Sequence, residues 1–264
     1  MSEHMRIDLN ADVGEAVGDD QSLLRSVTSA NIACGLHAGD AGVMRRTVRL
    51  AIEAGVTIGA HPGFPDLQGF GRRELNLPPR AVEDLVLYQV AALAGIAAAE
   101  GARLRHVKPH GALYNMAARD GELAAAVVAG VSAFDRALVI VAPPASRLMA
   151  AAVRDGMRAA AEAFADRAYH SDGSLVPRDA AGAVIDDPSI VLQRALRLVR
   201  AREVVASDGS VISLAPDTIC VHGDTGQAAR IAAELRRGLV EAGILVAPLA
   251  EAFGGGARRN ATKS

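Results

Sequence analysis

A repeated junction between helices and strands constrains the fold of this chain more than any other feature of its sequence. Four helical patterns end in an acidic residue that is followed, directly or after one alanine, by a glycine and then by an apolar run; the glycines are Gly55, Gly101, Gly156 and Gly243. Glycine suits this position because it adopts the left-handed conformation that ends many helices. Strands that alternate with helices over short connections run parallel within one sheet, so we expect a parallel sheet here.

The number of these units decides between the two common parallel architectures. About seven or eight units fit into 264 residues, which predicts one (β/α) TIM-like barrel of about seven strands with its helices outside. A doubly wound open sheet is the alternative, but the chain has neither a Gly-x-Gly-x-x-Gly dinucleotide turn nor a Gly-x-x-x-x-Gly-Lys phosphate loop. We expect a single domain, 1–264, whose barrel covers about residues 6–250 and whose last residues, 251–264, form a flexible tail. Asp208-Gly209, between two short apolar runs, predicts a β-hairpin.

The composition favours a compact domain that acts on a small molecule. Hydrophobic residues make up 50% of the chain, and 28 Lys and Arg oppose 30 Asp and Glu for a formal charge of -2. Without basic blocks, neither nucleic acid nor an anionic membrane is expected as a partner. The N-terminus lacks the features of a secretory leader and we expect no apolar run of membrane-spanning length, which predicts a cytoplasmic protein. Cys34 and Cys220 each lie in a short apolar run and are expected to be buried thiols.

Polar side chains follow the end of almost every predicted strand. Because the carboxyl ends of parallel barrel strands open at one face, groups that are far apart in the sequence should meet at a single mouth. The loop at 64–74 is long enough to close over that mouth. The side chains expected there are Asn10, Asp12 and Glu15, then His37, His61, Arg72 and Arg73, then Lys108, His110, Tyr114 and Asn115, and finally Glu162, Arg167, His222 and Asp224.

Two local patterns support this interpretation. Period-two spacing places Asn10 and Asp12 on the same side of the first strand, and polar groups directed into a barrel are costly unless they bind something. Glu162 lies alone within an apolar stretch, so its carboxylate needs a partner such as Lys108 or Arg167.

The histidines and carboxylates of the mouth suit two kinds of chemistry. They could transfer protons to and from a carbonyl substrate, since neighbouring groups can tune both side-chain types to titrate near neutral pH. They could also hold a divalent metal ion, with Asp12, His61 and His110 as the first ligands to test, although the sequence shows no zinc-binding helix motif. The remaining histidines, interpreted as ordinary ones, are His4, His106 and His170.

Seven motifs carry a resemblance to a known family. They are DLNADVGE (8–15), ANIACGLHAGD (30–40), GAHPG (59–63), GFGRR (69–73), VKPHGALYN (107–115), EAFADR (162–167) and TICVHGD (218–224). Together, and in this order over about residues 6–250, they resemble the signatures of the LamB/YcsF family. Ala11 stands where the family usually has cysteine, and Leu36 where it usually has an aromatic residue, so position 11 is not expected to be catalytic.

The resemblance implies both a fold and a reaction. The implied fold is a barrel related to the glycoside hydrolase/deacetylase superfamily. The implied reaction is a hydrolysis of a cyclic amide, in which 5-oxo-L-proline, ATP and water give L-glutamate, ADP and phosphate, and it implies two partner subunits, B and C. Two alternatives remain open: a stand-alone metal-dependent amidohydrolase or deacetylase, and a lactam-binding subunit whose ATP chemistry lies in the other chains.

Under this hypothesis the mouth residues have two roles. Lys108 and Arg167, with Arg72 or Arg73, would hold the substrate carboxylate or the developing phosphate charge. Asp12, Glu162 or a histidine would position and deprotonate water. Replacing Lys108, His110 or Asp12 with alanine is expected to abolish turnover with little change in melting temperature. The expected catalytic residues are Asp12, His61, Lys108, His110, Glu162 and His222, and the expected substrate-binding residues are Asn10, Glu15, His37, Arg72, Arg73, Tyr114, Asn115, Arg167 and Asp224.

Overall fold

Strands and helices alternate along the chain, as the glycine junctions predict. The computed structural model describes residues 5–178, 180–221 and 227–249, so the predicted mouth residues His222 and Asp224 and the predicted tail at 251–264 lie outside the described residues. The strands are β1 (Arg6–Val13), β2 (Ser29–Ala33), β3 (Thr57–His61), β4 (His106–Val107), β5 (Val139–Ala142), β6 (Arg158–Phe164), β7 (Glu203–Val205), β8 (Val211–Ser213), β9 (Thr218–Val221) and β10 (Leu245–Val246). The helices are α1 (Asp20–Leu24), α2 (Ala41–Glu53), α3 (Pro79–Ala99), α4 (Gly111–Arg119), α5 (Gly121–Phe134), α6 (Arg147–Arg154), α7 (Pro188–Arg200) and α8 (Ala228–Glu241).

Seven parallel strands close into a barrel in the order β1, β2, β3, β4, β5, β6 and β9. Strand β9 completes the closure because it pairs with β6 on one side and with β1 on the other, where Asp8 lies opposite Thr218. The short β10 pairs with the start of β1 at Arg6 and Ile7. The prediction of a TIM-like barrel with about seven strands is confirmed.

The four junction glycines have the conformation that their position requires. Gly55, Gly101, Gly156 and Gly243 have φ values of +67°, +79°, +72° and +78°, and each follows a helix and precedes a strand of the sheet. The hairpin predicted at Asp208-Gly209 is also present, because β7 and β8 pair antiparallel on either side of it.

Helix α3 is the one described helix whose length of 21 residues and mean hydropathy of 1.5 would suit a membrane. Its length corrects the expectation that no apolar run is long enough to span a membrane. In the structure, however, Val82, Val86 and Leu93 bury one face of α3 in the hydrophobic core. Helix α5 packs closely against it, since a Cβ at Gly130 would lie 2.6 Å from the Glu83 carbonyl oxygen. Helix α3 therefore belongs to the ring of helices outside the barrel and packs one face against the hydrophobic core.

The two sides of β1 face different surroundings. Leu9 and Ala11 join the apolar layer between the strands and the helices. Asp8 points into the barrel and accepts hydrogen bonds from the hydroxyl groups of Thr28, Ser29 and Thr218. Burial raises the pKa of the Asp8 carboxyl, while these donors act in the opposite direction. The period-two pattern of the first strand therefore separates an apolar exterior from a polar barrel interior.

Replacing Gly59 with alanine is predicted to destabilise the barrel. Gly59 in β3 lies against the imidazole of His106 in β4, and an added Cβ would overlap His106 Nε2. Overpacking of a rigid interior costs roughly 1–3 kcal/mol, so the free energy of unfolding measured in urea should fall by about that amount.

Gly95→Ala in α3 is the matched control. No heavy atom lies within 4 Å of the Cβ that this change would add. Alanine is also the better helix former, so the free energy of unfolding should stay the same or rise. Equal stability of the two variants would contradict the tight packing between Gly59 and His106.

Candidate active site at the mouth of the barrel

A cavity of about 1200 Å³ opens at the carboxyl ends of the barrel strands. Residues that are distant in the sequence contribute to its lining, because the parallel strands all end on this side. Those predicted at the mouth and found in the lining are Asp12, Glu15, His61, Arg72, Lys108, His110, Tyr114, Asn115, Glu162 and Arg167.

The Lys108 ammonium group lies on the floor of this cavity and is only 3% exposed. Its Nζ is 3.0 Å from Asp12 Oδ1, 2.9 Å from Glu162 Oε1 and 3.1 Å from Cys220 Sγ. Burial disfavours the charged amine, but Asp12, Cys220 and Glu162 outweigh burial and hold the pKa of Lys108 well above its usual value. The expected pairing of Glu162 with Lys108 is confirmed.

Glu162 is held by three donors from different elements. Its Oε1 accepts from Lys108 and, at 3.0 Å, from Asn10 Nδ2, while its Oε2 accepts from the Tyr114 hydroxyl at 2.7 Å. Tyr114 comes from the first turns of α4, which begins directly after the polar corner at 108–110. Burial and the adjacent Glu162 raise the pKa of Tyr114 well above its usual value, so its hydroxyl remains a donor.

Beside Lys108, one carboxylate and three imidazoles form a buried group that we call the imidazole cluster: Glu15, His37, His61 and His110. One possible ligand atom from each lies within 4.8 Å of all the others. Glu15 Oε1 is 3.2 Å from His37 Nε2, 3.2 Å from His110 Nδ1 and 3.8 Å from His61 Nε2. Asp12 Oδ2 lies 3.4 Å from His61 Nε2, so Asp12 connects this cluster to Lys108.

Hydrogen bonds to main-chain carbonyls determine where the histidine protons lie. His61 Nδ1 is 2.7 Å from the Lys108 carbonyl oxygen, and His110 Nε2 is 2.8 Å from that of Phe70. A carbonyl only accepts, so both of these nitrogens carry hydrogen. The other two nitrogens, His61 Nε2 and His110 Nδ1, then face each other at 3.0 Å. Two lone pairs repel at that distance, so either one of these nitrogens is protonated or both bind the same cation.

The charges of the imidazole cluster favour a bound cation. Burial opposes ionisation of Glu15, but its contacts with His110 and His37 outweigh burial and lower the pKa of Glu15 to about 2. Burial lowers the pKa of His37 to about 4, so its ring is neutral. Burial also opposes a charge on His61, yet Asp12 outweighs it and raises the pKa of His61. The cluster therefore presents an ionised carboxylate and a neutral His37, while Asp12 favours a proton on His61 that a metal ion would have to displace. Carboxylates and deprotonated imidazoles are the usual ligands of divalent metals.

Glu15, His61 and His110 could hold such a metal ion. Metal-binding histidines usually donate their second ring N–H to a carbonyl or a carboxylate, and His61 and His110 both donate to carbonyls. His37 stacks on His110 with 3.8 Å between ring centroids, and its Nε2 is best satisfied by donating to Glu15. His37 therefore orients Glu15 instead of adding a third nitrogen ligand.

Several predicted substrate-binding residues lie elsewhere than expected. Arg73 pairs with Asp66 and is not among the residues that line the cavity. Asn10 and His37 lie behind the lining, where they support Glu162 and Glu15. Arg167 does line the cavity, and it donates to the main-chain carbonyls of Val176 and Ala183.

The sequence interpretation missed two residues beneath the site. Asn31 donates from Nδ2 to Asp12 Oδ1 at 2.8 Å and to Asn10 Oδ1 at 2.7 Å. His106, which was interpreted as ordinary, is 2.8 Å from Asn31 Oδ1 through its Nε2, and burial lowers its pKa to about 3. The available signal was an asparagine in the middle of an otherwise apolar strand, where an amide needs partners.

Comparison with known proteins agrees with the fold and with the sequence motifs. The model of the LamB/YcsF family matches residues 7–254. The chain is 52% identical over 247 residues to the A subunit of 5-oxoprolinase from Heliobacterium modesticaldum, an alignment that covers 92% of this chain and 97% of that relative. It is also similar to the structure of a lactam utilization protein from Thermus thermophilus, with 45% identity, a TM-score of 0.88 and coverage of 93% of this chain and 100% of the other.

A more distant similarity concerns the fold alone. The family 4 carbohydrate esterase from Streptomyces lividans has 11% identity and a TM-score of 0.51, with coverage of 94% of this chain and 95% of the esterase. The barrel thus shares its fold with this esterase, in agreement with the barrel fold that the resemblance implied. Because the family model matches residues 7–254 of its 264, this chain belongs to the LamB/YcsF family.

Proposed function

We propose that this chain opens the cyclic amide of 5-oxo-L-proline to give L-glutamate, as the A subunit of an ATP-dependent 5-oxoprolinase. The observation that carries the proposal is the Lys108 ammonium between Asp12 and Glu162 on the floor of a cavity, directly beside the imidazole cluster. The name of the Heliobacterium relative, at 52% identity, supports the same activity.

Ring opening makes three demands on the site. Water must lose a proton as it attacks the carbonyl carbon, negative charge on the amide oxygen must be stabilised, and the ring nitrogen must gain a proton as the C–N bond breaks. The lactam is stabilised by resonance and its five-membered ring has little strain. Phosphorylation of the amide oxygen by ATP would turn that oxygen into a leaving group, which accounts for the coupling to ATP.

The charges of Lys108 and Asp12 suit these residues to different steps of ring opening. Lys108 remains protonated because its pKa is raised, so it stabilises charge on an amide or phosphoryl oxygen instead of acting as a base. Asp12 contacts Lys108 with one oxygen and His61 with the other, and it lines the cavity, so it can accept the proton of the attacking water. Asp12 then returns that proton to the ring nitrogen as the C–N bond breaks.

Glu162 and Arg167 support substrate binding. Glu162 is occupied by Lys108, Asn10 and Tyr114, so it anchors the ammonium group and does not serve as the first proton acceptor. Arg167 is buried at the cavity wall, and two main-chain carbonyls use only part of its five donors. Its remaining N–H groups suit the substrate carboxylate.

The imidazole cluster suits a divalent metal ion held by Glu15, His61 and His110. When bound, such an ion supplies Lewis acidity toward a carbonyl or phosphoryl oxygen. The support is that one ionised carboxylate meets one nitrogen from each of two histidines. The other ring nitrogen of each histidine already donates its hydrogen to a main-chain carbonyl.

The ATP chemistry depends on partner subunits B and C in this proposal, and the ATP site lies at least partly on those chains. The complex works in the cytoplasm. The support is that the Heliobacterium relative is named as one subunit of its enzyme, together with the missing phosphate loop in this sequence.

A metal-dependent amidohydrolase or deacetylase that acts alone is the second candidate. The imidazole cluster favours it, because a bound metal could support amide hydrolysis without ATP.

Asp12→Asn is predicted to lower turnover by about 10²- to 10⁴-fold, because an amide of the same shape cannot accept the proton from water. The measurement is glutamate release from 5-oxo-L-proline by the complete complex with ATP. Asp84→Asn is the control, since Asp84 pairs with Arg80 on the exposed side of α3. Asp12→Asn activity above one tenth of the control would remove Asp12 from this role.

Lys108→Met is predicted to lower both turnover and stability. Turnover should fall by about 10²- to 10³-fold with the loss of the stabilising charge. The free energy of unfolding should fall by roughly 3–5 kcal/mol, because Asp12 and Glu162 lose a buried partner. For Lys108, this prediction replaces the sequence-based expectation of a nearly unchanged melting temperature. Adding Glu162→Gln should restore part of the stability measured in urea; no restoration would contradict this account.

Assays of the separate components distinguish the two candidate functions. Glutamate release should require this chain, subunits B and C, and ATP together, and the chain alone should be inactive. Treatment with a chelator should lower the activity of the complex, and added Zn²⁺ or Mn²⁺ should restore it. Hydrolysis of 5-oxo-L-proline or of an acetylated amide by the metal-loaded chain without ATP would favour the second candidate.

A further inference from the structure

The loop at 64–74, which we call the covering loop, lies directly on the imidazole cluster. The Phe70 carbonyl accepts the N–H of His110 Nε2 at 2.8 Å. The Phe70 ring meets the rings of His37 and His110 edge-on, with centroid distances of 5.9 and 5.4 Å. A Cβ at Gly71 would lie 2.7 Å from His37 Cβ and 2.8 Å from His110 Cδ2, so only glycine fits there.

The backbone of Phe70 is strained in the conformation that places its carbonyl on His110. Its φ of +55° is in the left-handed region, which bulky side chains rarely adopt. Such strain persists only where the surrounding contacts overdetermine the backbone, and it is found preferentially at functional sites. The contacts that hold Phe70 are therefore the place to look for residues that act on the site indirectly.

Those contacts centre on Asp66, which is buried, whereas the side chain of its partner Arg73 is exposed. The Asp66 carboxylate accepts from the Gly69 amide at 2.9 Å and from Arg73 Nε at 3.0 Å, and its main-chain carbonyl accepts from the Gly71 amide at 2.9 Å. Arg73 reaches across the turn, and its guanidinium also pairs with Asp66 through Nη2, while its side chain remains 63% exposed. The turn around Phe70 is thus closed by one ion pair and by two main-chain amides, which donate to the carboxylate and to the main-chain carbonyl of Asp66.

The position of the Phe70 carbonyl matters because two acceptors compete for the single proton of neutral His110. Glu15 Oε1, 3.2 Å from Nδ1, favours a proton on Nδ1, whereas the Phe70 carbonyl favours one on Nε2. Only the second tautomer directs the Nδ1 lone pair into the cluster.

We propose that Asp66 and Arg73 are positioning residues that close the covering loop, hold the Phe70 carbonyl on His110 and thereby keep His110 in the tautomer that can bind a divalent cation. The inference rests on the metal site of the proposed function. It gives Arg73 a role other than the direct substrate binding that its position in the sequence suggested.

The test combines two measurements on the full-length chain. Long-range ¹H–¹⁵N spectra of protein labelled at histidine report the His110 tautomer without metal, and calorimetric titration with Zn²⁺ reports affinity. Arg73→Gln removes the ion pair, and Arg73→Lys keeps the charge but not the two-pronged geometry. Arg80→Gln is the control, because it removes an exposed arginine that pairs with Glu83 in α3.

The expected result is a loss of about tenfold or more in Zn²⁺ affinity for Arg73→Gln, with a smaller loss for Arg73→Lys. In the metal-free spectra, His110 should change from one tautomer protonated at Nε2 to a mixture. The control should keep both the affinity and the single tautomer. If Arg73→Gln does not fold, Arg73→Lys and Asp66→Asn provide the same comparison.

Two outcomes would overturn the inference, and a third concerns the metal. An unchanged His110 tautomer with Zn²⁺ affinity within twofold of the control would show that the ion pair does not act on His110. A higher KM for 5-oxo-L-proline with affinity and tautomer unchanged would make Arg73 a substrate-binding residue. If the unmodified chain binds no Zn²⁺, the metal part of the proposed function fails with the cation role, while the metal-free spectra still decide whether Arg73 positions His110.

Discussion

The structure depends most on the burial of one ammonium group between two carboxylates. Removing Lys108, Asp12 and Glu162 from water costs several kcal/mol per ion, which only close and well-directed pairing can offset. The three side chains come from β1, β6 and the end of β4, so the barrel must close before the charges can compensate one another. Closure of the sheet and assembly of the site are therefore one event. A barrel with these strands out of register would bury an unpaired charge.

Asp12 extends this dependence to the imidazole cluster. One of its oxygens contacts Lys108 at 3.0 Å, and the other lies 3.4 Å from His61 Nε2. Residues that share a partner in this way do not behave additively, so changes at Lys108 and at His61 should influence each other. Below them, Asn31 and His106 orient the same carboxylate from the barrel interior. The apolar layer between strands and helices supplies the net stabilisation of the fold, because pairing of the buried charges does little more than offset the cost of removing them from water. Removing one partner is costly because it leaves another charge buried and unpaired.

Much of the fold and part of the site could be predicted because the relevant signals are local. A glycine after a helix and a polar residue after a strand each reflect the conformation of a few neighbouring residues. Parallel topology then brings the strand ends to one face, so Glu15, His61 and His110 could be placed at a common mouth. Arg73 could not be placed correctly, because an arginine that binds an anionic substrate and one that pairs with Asp66 look the same in a sequence. His106 was missed because its partner Asn31 lies 75 positions away.

By itself, then, the sequence determined the order of strands and helices, the parallel barrel, and the set of polar groups that its mouth would contain. Only the tertiary structure decided which of those groups touch, which carry the charge and which nitrogen of each histidine faces the site. Backbone conformation follows from neighbouring residues through steric limits and hydrogen bonding. Ionisation and tautomer instead follow from distances of a few ångströms between groups on different strands, and closure of the barrel sets those distances.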